Sequence, residues 1–394
     1  MEIKRNKVIN PNEYGSLLYD ESEKEAVINV MTSRRIFRYS KTEFPYSDEL
    51  EDKVCKKLNT KYCLGVINGT AGLITALTAI GIKPNDRVLV SSYTYIATAL
   101  AVKNVGGIPI PLDLDLNNGV DMEDLESEID KGCKAVIITH FQGRCFNLEQ
   151  ISKLLKRNDI YLIEDACQAF ASNYKGRYAG TFGDIGVFSF QQYKQIASGE
   201  GGAVVTNNSK LYNKMRNYTD MGSVRDRFPN WNSAESMFGQ NYRISNISAA
   251  ILVRQMEKLD YMISKQIKSR QNILNNIKKY NIKSLINSKD TDGDTGMNII
   301  FLLKDKSYVE TVMKFSKEKY NVELRKMWSN LYFENKLFID NKITDKDLKT
   351  KQCINAREIT EKMLVISIPP ILEKKEEEII SKLLVDLKDN NYID

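Results

Sequence analysis

The sequence predicts an α/β protein: a large domain on a mostly parallel, mixed sheet, followed by a smaller C-terminal α+β domain. Three observations predict it. From about residue 50 to 206, short apolar runs alternate with amphipathic helical stretches, the pattern of a sheet with helical crossovers. A long amphipathic stretch, Ala250 to about Ile277, carries Ile251, Met256, Leu259, Ile263, Ile267 and Ile273 at near-helical intervals and reads as a strut leaving the first domain. Beyond it the regular alternation stops. A chain of 394 residues with 42% hydrophobic content buries a full core and divides more readily into two domains than one. The expected division is 1–255 for the large domain, N-terminal segment included, and 256–394 for the small one.

In chain order, the apolar runs predict strands near Leu64–Ile67, Arg87–Ser91, Ile108–Asp113, Ala135–Thr139, Tyr161–Glu164, Gly186–Phe190 and Ala203–Thr206. Between them Ala71–Ile80, Ile96–Val105, Met122–Ile129 and Leu148–Leu155 show helical spacing. After the strut come a strand at Met297–Leu303, a helix at Val309–Tyr320, a strand at Met363–Ile368 stopped by Pro369-Pro370, and a terminal helix from Lys374 to Leu387.

Composition excludes several function classes. Lys and Arg total 57 against 51 Asp and Glu, a net charge of +6, but basic residues sit beside acidic ones, as in Glu373-Lys374-Lys375-Glu376, so no nucleic-acid partner is expected. The six cysteines form no C-x-x-C pair and read as reduced thiols. With His140 as the one histidine, a metal site or a histidine-based catalytic dyad has almost nothing to build on, and no metal is expected. His140 ends an apolar strand and reads as a hydrogen-bonded structural residue. The start, Met1-Glu2-Ile3-Lys4-Arg5-Asn6, lacks an apolar core segment, and no apolar run approaches the ~18–20 residues that span a bilayer, so a cytoplasmic protein with no membrane partner is expected.

The residues that carry chemistry sit at strand ends. Asp165 follows the apolar Tyr161-Leu162-Ile163, at the carboxyl end of a strand, where ligand crevices form in open α/β sheets. Phe188-Ser189-Phe190-Gln191-Gln192-Tyr193-Lys194 ends the next strand in a loop closed by Ser198-Gly199-Glu200-Gly201-Gly202. Asn68-Gly69-Thr70-Ala71 follows a strand and opens a helix, offering backbone N–H groups, the helix dipole and a hydroxyl to an anion. Pyridoxal 5′-phosphate (PLP) chemistry needs a lysine to hold the aldehyde as an imine and shuttle protons, an acid at the ring nitrogen, and a phosphate cradle. Lys194, Asp165 and the Asn68–Ala71 turn fit those needs. Singly each is ordinary: a strand-end Asp is more often a cap, a loop Lys is usually solvated, and Asn68-Gly69-Thr70 also makes a plain turn.

Together the motifs resemble the DegT/DnrJ/StrS family of PLP-dependent sugar aminotransferases, of the aspartate aminotransferase fold type I, over nearly the whole chain. The likeness rests on Asn68-Gly69-Thr70-Ala71-Gly72-Leu73, Ser92-Tyr93-Thr94-Tyr95-Ile96-Ala97-Thr98, Glu164-Asp165-Ala166-Cys167-Gln168-Ala169, Phe188-Ser189-Phe190 leading to Lys194, and Gly239-Gln240-Asn241-Tyr242-Arg243-Ile244-Ser245. The resemblance implies that Lys194 carries the cofactor, Asp165 partners its ring nitrogen, Gln168 contacts its phenolic-oxygen side and Tyr95 stacks on the ring. It implies that Thr70, Ala71 and Ser189 bind the phosphate from one subunit and Asn241 from the other, in a homodimer with shared active sites. Arg243 would anchor a substrate carboxylate, and Arg38 and Trp328 would line the acceptor pocket. Tyr95 stands where the family often has Trp or Phe, and Phe170 where it often has His; neither change removes a catalytic group.

The implied reaction moves an amino group from glutamate or glutamine to a keto sugar, nucleotide-linked or free. Within the family, Ser33–Tyr39, the Asp290-Thr291-Asp292-Gly293-Asp294 turn and Trp328-Ser329-Asn330 are similar to the subgroup with 8-amino-3,8-dideoxy-manno-octulosonate transaminase, and Gln191-Gln192 to the cyclitol (inosose) aminotransferases. A PLP-dependent sugar dehydratase of this family carries histidine in place of the lysine, so Lys194 argues against that alternative. Lys194, Asp165, Gln168 and Ser189 together argue against a non-catalytic regulator.

Overall fold

Seven strands form the central sheet of the computed structural model, which describes residues 8–116, 119–225, 228–286, 293–328, 330–340 and 352–394. They are β1 (Tyr62–Val66), β2 (Arg87–Ser91), β3 (Ile108–Leu112), β4 (Ala135–Thr139), β5 (Tyr161–Asp165), β6 (Ile185–Ser189) and β7 (Gly202–Thr206). Their order is β1-β7-β6-β5-β4-β2-β3. Only β7 runs against its neighbours; the other contacts are parallel. β4, β6 and β7 are buried along their whole length, as strands covered by helices on both faces must be, which is why they read as continuous apolar runs.

Helices α1 (Glu21–Ser33) and α2 (Tyr46–Leu58) precede the sheet, and α3 (Gly69–Ala79), α4 (Ile96–Asn104), α5 (Met122–Asp130), α6 (Glu149–Arg157) and α7 (Ser209–Thr219) connect or follow its strands. α1 begins with a reciprocal cap in which the Asp20 side chain accepts from the first turn and Glu23 reaches back to the Asp20 N–H. α8 (Asn246–Ile277), capped by Ser245, spans 32 residues, about 48 Å at the helical rise. Its first half buries Ala249, Leu252, Val253, Leu259 and Met262 in the core of the large sheet. Its end places Ile273 and Ile277 in a second core.

That second core lies under an antiparallel sheet of order β8-β9-β11-β10, with β8 (Leu285–Ile286), β9 (Asn298–Leu302), β10 (Leu324–Arg325) and β11 (Met363–Ser367). α9 (Lys374–Asp389) covers it with Ile380, Leu383, Leu384 and Leu387. The N-terminal segment crosses from one core to the other: Ile9 packs on the second core, and Asn10 exchanges two hydrogen bonds with the backbone of Glu323, at 2.9 and 2.8 Å. Among the described residues no helix is long and apolar enough to cross a membrane. Of the Asp290–Asp294 turn only Gly293 and Asp294 are described; Ser329 and the Met1–Asn6 stretch also lie outside the described residues.

Candidate active site

A cavity of about 580 Å³ opens at the carboxyl ends of β5 and β6, where the strand order places a crevice. Asp165, Gln168, Ser189, Lys194, Thr70 and Tyr95 line it from the large domain, and Trp328 and Arg325 from the small one.

Asp165 is the last residue of β5 and is buried. Its Oδ2 accepts from Thr98 Oγ1 at 2.7 Å and its Oδ1 from the Cys167 N–H at 3.1 Å. Both oxygens therefore act as acceptors and each keeps a lone pair for a further donor. Behind Thr98, the Thr94 and Thr139 hydroxyls continue the chain at 2.8 Å per step. A hydroxyl has one proton, and that of Thr98 goes to Asp165. Thr94 must then donate to Thr98 and Thr139 to Thr94, so all three protons point toward the carboxylate.

The turn after β1 makes the cradle. Asn68 caps α3 by accepting from the Ala71 N–H at 2.8 Å, so Ala71 is engaged there and does not face the cavity. The first-turn N–H groups ahead of it have no intrahelical acceptor, and Gly69 and Thr70 line the cavity. Space explains the glycine: a Cβ on Gly69 would sit 2.7 Å from Cys167 Sγ and 3.1 Å from Ser189 Cβ. Ser189 Oγ accepts weakly from the Gln191 N–H at 3.4 Å, so its proton is free for an anion on the cradle. Burial pushes the Cys167 thiol well above its ordinary range, so it stays a neutral floor to the site. Lys194 follows β6, its backbone N–H bonded to Gln191 O at 2.9 Å; among the described residues its ammonium has no ion-pair partner.

A chain of amides sets the polarity of the opposite wall. Arg325 Nη2 donates to Asn298 Oδ1 at 3.0 Å and, at 3.4 Å, to Gln142 Oε1; Asn298 Nδ2 donates to Gln142 Oε1 at 2.9 Å. A guanidinium cannot accept, so Gln142 must turn its oxygen toward it and its Nε2 toward Gln168. That Nε2 donates to Gln168 Oε1 at 2.7 Å, which leaves the Gln168 amide donors for the cavity. Gln142 takes a left-handed conformation, φ 52°, uncommon outside glycine, and this bond network holds it there.

Of the other expected site residues, Arg38, Arg243 and Asn241 lie outside the cavity in this chain, whereas Trp328 lines it. Arg38 is buried against Glu51 at 2.6 Å, away from the cavity. Arg243 pairs with Asp220 and lies over the Phe37 ring. Asn241 is exposed beside the end of β1, held by the Ile67 N–H to Tyr242 O bond at 3.0 Å, and does not line its own chain's cavity. Trp328 lies edge-on to Tyr93 with ring centroids 4.7 Å apart. His140 is fully buried; its Nδ1 accepts from the Phe146 N–H at 3.1 Å, so Nε2 carries the proton and donates to Glu164 at 2.8 Å. Sequence reasoning missed Arg325, Gln142 and Tyr14 as cavity residues. Gln142 carried a readable signal, since it follows β4 at the same sheet edge as Asp165.

Three comparisons bear on this geometry. The sequence pattern of the DegT/DnrJ/EryC1/StrS aminotransferase family matches residues 18–384. A GDP-perosamine synthase of Escherichia coli O157:H7 is 39% identical over 242 residues, 61% of this chain and 64% of that enzyme. The match thus spans less than two thirds of that relative, as it does for a GDP-perosamine synthase of Vibrio cholerae, 34% identical over 55% of this chain and 59% of that enzyme. Among solved structures, an aminotransferase from Psychrobacter cryohalolentis superposes with TM-score 0.84 at 23% identity, covering 95% of this chain and 98% of its own. The E. coli GDP-4-keto-6-deoxy-D-mannose-3-dehydratase with bound hydrated PLP gives 0.80 at 21% identity, covering 96% and 99%. The large mixed sheet, the long helix and the small C-terminal sheet are the fold type I architecture of PLP-dependent transferases.

Proposed function

Because the chain belongs to the DegT/DnrJ/EryC1/StrS aminotransferase family, we propose that it binds PLP through Lys194 and moves an amino group from glutamate or glutamine to a keto sugar. The observation that carries this reading is the convergence of Lys194, Asp165 and the open first turn of α3 on one cavity. The residues fit the cofactor: the cradle admits no Cβ at Gly69, Asp165 keeps lone pairs for a ring N–H, and Lys194 has no competing ion pair among the described residues.

Bound there, PLP supplies an electron sink that makes the donor's α-proton removable. Lys194 Nζ would hold the cofactor through its aldehyde and, once freed by the donor, would serve as the base for the proton on the donor's α-carbon. In the second half-reaction the same Nζ delivers a proton to the acceptor carbon that receives nitrogen. Asp165 holds the ring N–H, its charge placed in advance and braced by the Thr98 hydroxyl. The α3 terminus, Thr70 and Ser189 hold the phosphate, and the Gln168 amide donates to the phenolic oxygen. Tyr95, 56% exposed and tilted against Trp328, would offer its open ring face to the cofactor. Lys194 also separates this reading from the dehydratase one, since a histidine there would leave the cofactor without a covalent hold.

The test is the absorption spectrum of the PLP-loaded protein before and after adding glutamate or glutamine, with borohydride reduction and peptide mass mapping. The expected outcome is a yellow band that one donor bleaches, reductive trapping on Lys194, and neither in Lys194→Ala. A band that neither donor changes would overturn the transferase half-reaction.

A further inference from the structure

Arg325 differs from three other buried or half-buried arginines of the chain. Arg38, Arg243 and Arg270 each face a carboxylate, those of Glu51, Asp220 and Asp294. Arg325 forms no ion pair with any described residue; its partners are the neutral Asn298, Gln142 and Tyr14, all at Nη2. Among the described residues Nη1 meets only the Met327 sulfur, at 3.3 Å, a weak acceptor, and Nε is buried with no acceptor. A half-buried guanidinium with strong acceptors on one nitrogen alone is an incomplete anion site. It lines the same cavity as Lys194.

We propose that Arg325 anchors a carboxylate of the amino donor, the role sequence reasoning gave to Arg243. This rests on the transferase reading above. Arg243 is paired with Asp220, a carboxylate it shares with Arg225, and stands outside the cavity of its own chain. Arg325 stands inside it, on β10, held by Tyr14 from the N-terminal segment and Asn298 from β9. The donor must bring its amine to the carbon bonded to Lys194 while its carboxylate lies across the cavity, and a fixed fork on the far wall orients it. Lysine at 325 would supply charge without the fork.

The experiment titrates glutarate, a dicarboxylate with no amine, into PLP-loaded wild type, Arg325→Gln and Arg325→Lys by calorimetry, with inorganic pyrophosphate in parallel. Wild type is also mixed with glutamate and glutamine. The expected result is glutarate affinity about 10- to 100-fold lower in Arg325→Gln, the loss of hydrogen bonds to a charged group, with Arg325→Lys between. Pyrophosphate binding should stay unchanged. Retained PLP absorbance and an unchanged melting curve in either variant show that the fold is intact; Arg325→Lys, which keeps stem and charge, serves if Arg325→Gln misfolds. Wild-type glutarate affinity in both variants would overturn the proposal and leave Arg325 as a brace for the amide chain. Weakened pyrophosphate binding with glutarate unaffected would overturn it in favour of an acceptor phosphate. Failure of the transferase reading shows separately, as a wild-type spectrum that no amino donor changes, while the glutarate comparison still decides whether Arg325 holds a carboxylate.

Discussion

Thr98 commits its single proton to Asp165, and that makes it a positioning residue whose removal can be read apart from folding. Thr98→Val keeps the shape and deletes the donor, breaking the hydroxyl chain at its last link. A hydrogen bond to a charged group contributes about 1.5–3 kcal/mol, so PLP affinity should fall about tenfold or more, with Thr98→Ser restoring it. Fluorescence titration with PLP measures this; equal affinity in wild type and Thr98→Val would remove the role. The thiols allow a second residue-level prediction. Burial pushes Cys133 up to about 11 and Cys63 and Cys167 well above the ordinary thiol range, whereas the Cys63 hydrogen bond holds half-buried Cys55 below it. The thiolate is the nucleophile. Alkylation near pH 8 should therefore label Cys55 before the other three, and peptide mapping that finds Cys133 or Cys167 first would contradict it. Legibility at this scale was uneven. Lys194 and Asp165 were readable because Asp165 ends one apolar strand and Lys194 follows the next, but Arg325 depends on Tyr14 and Asn298, 311 and 27 residues away, and no local pattern encodes such a meeting.

α3 shows how an element turns packing into a binding surface. Gly72 on its inner side lets the helix lie on the sheet, since a Cβ there would come within 2.7 Å of Val187 Cγ1, and this close seat brings the first turn beside Ser189. Gly69→Ala should force Cys167 and Ser189 apart, cost about 1–3 kcal/mol as overpacking does, and weaken PLP binding more than it lowers the melting temperature. Equal PLP affinity in Gly69→Ala would show that the cradle tolerates a methyl group. The strands of the large sheet were legible because buried parallel strands leave near-continuous apolar runs; β2 and β4 were read at their observed bounds. α1 and α2 went unread because their charge-rich sequences hide a narrow apolar face, although Asp20-Glu21-Ser22-Glu23 holds the capping signal. β8 and β10, two residues each, are too short to show any period, and their pairing comes from the neighbouring strands. The helix expected over Val309–Tyr320 ends as α-helix at Phe315 and continues as a π-turn over Ser316–Tyr320.

At the scale of the molecule, apolar surface gathers on the side that carries Asn241. Phe238 is 100% exposed, Phe228 70% and Trp231 53%, and the segment they belong to leads into Asn241, bridged to Asp220 beside the end of β1. Single exposed rings are ordinary, but neighbouring ones beside a site mark an interface. The occupant that fits is a second copy: Asn241 sits one short turn from the α3 cradle yet lines no cavity of its own chain, so a two-fold pairing would let each chain's Asn241 reach the other's phosphate site. Phe238→Asp tests this cleanly. A ring with full exposure contributes no burial to the isolated chain, so its replacement cannot weaken the monomer's core. Sedimentation should find a dimer for wild type and a shift toward monomer for Phe238→Asp, with PLP affinity falling in step because the partner's Asn241 contact leaves with it. Asn241→Ala should lower PLP affinity while the dimer persists, separating the contact from the assembly. A wild-type monomer that binds PLP at full strength would instead require the α3 turn, Thr70 and Ser189 to hold the phosphate alone.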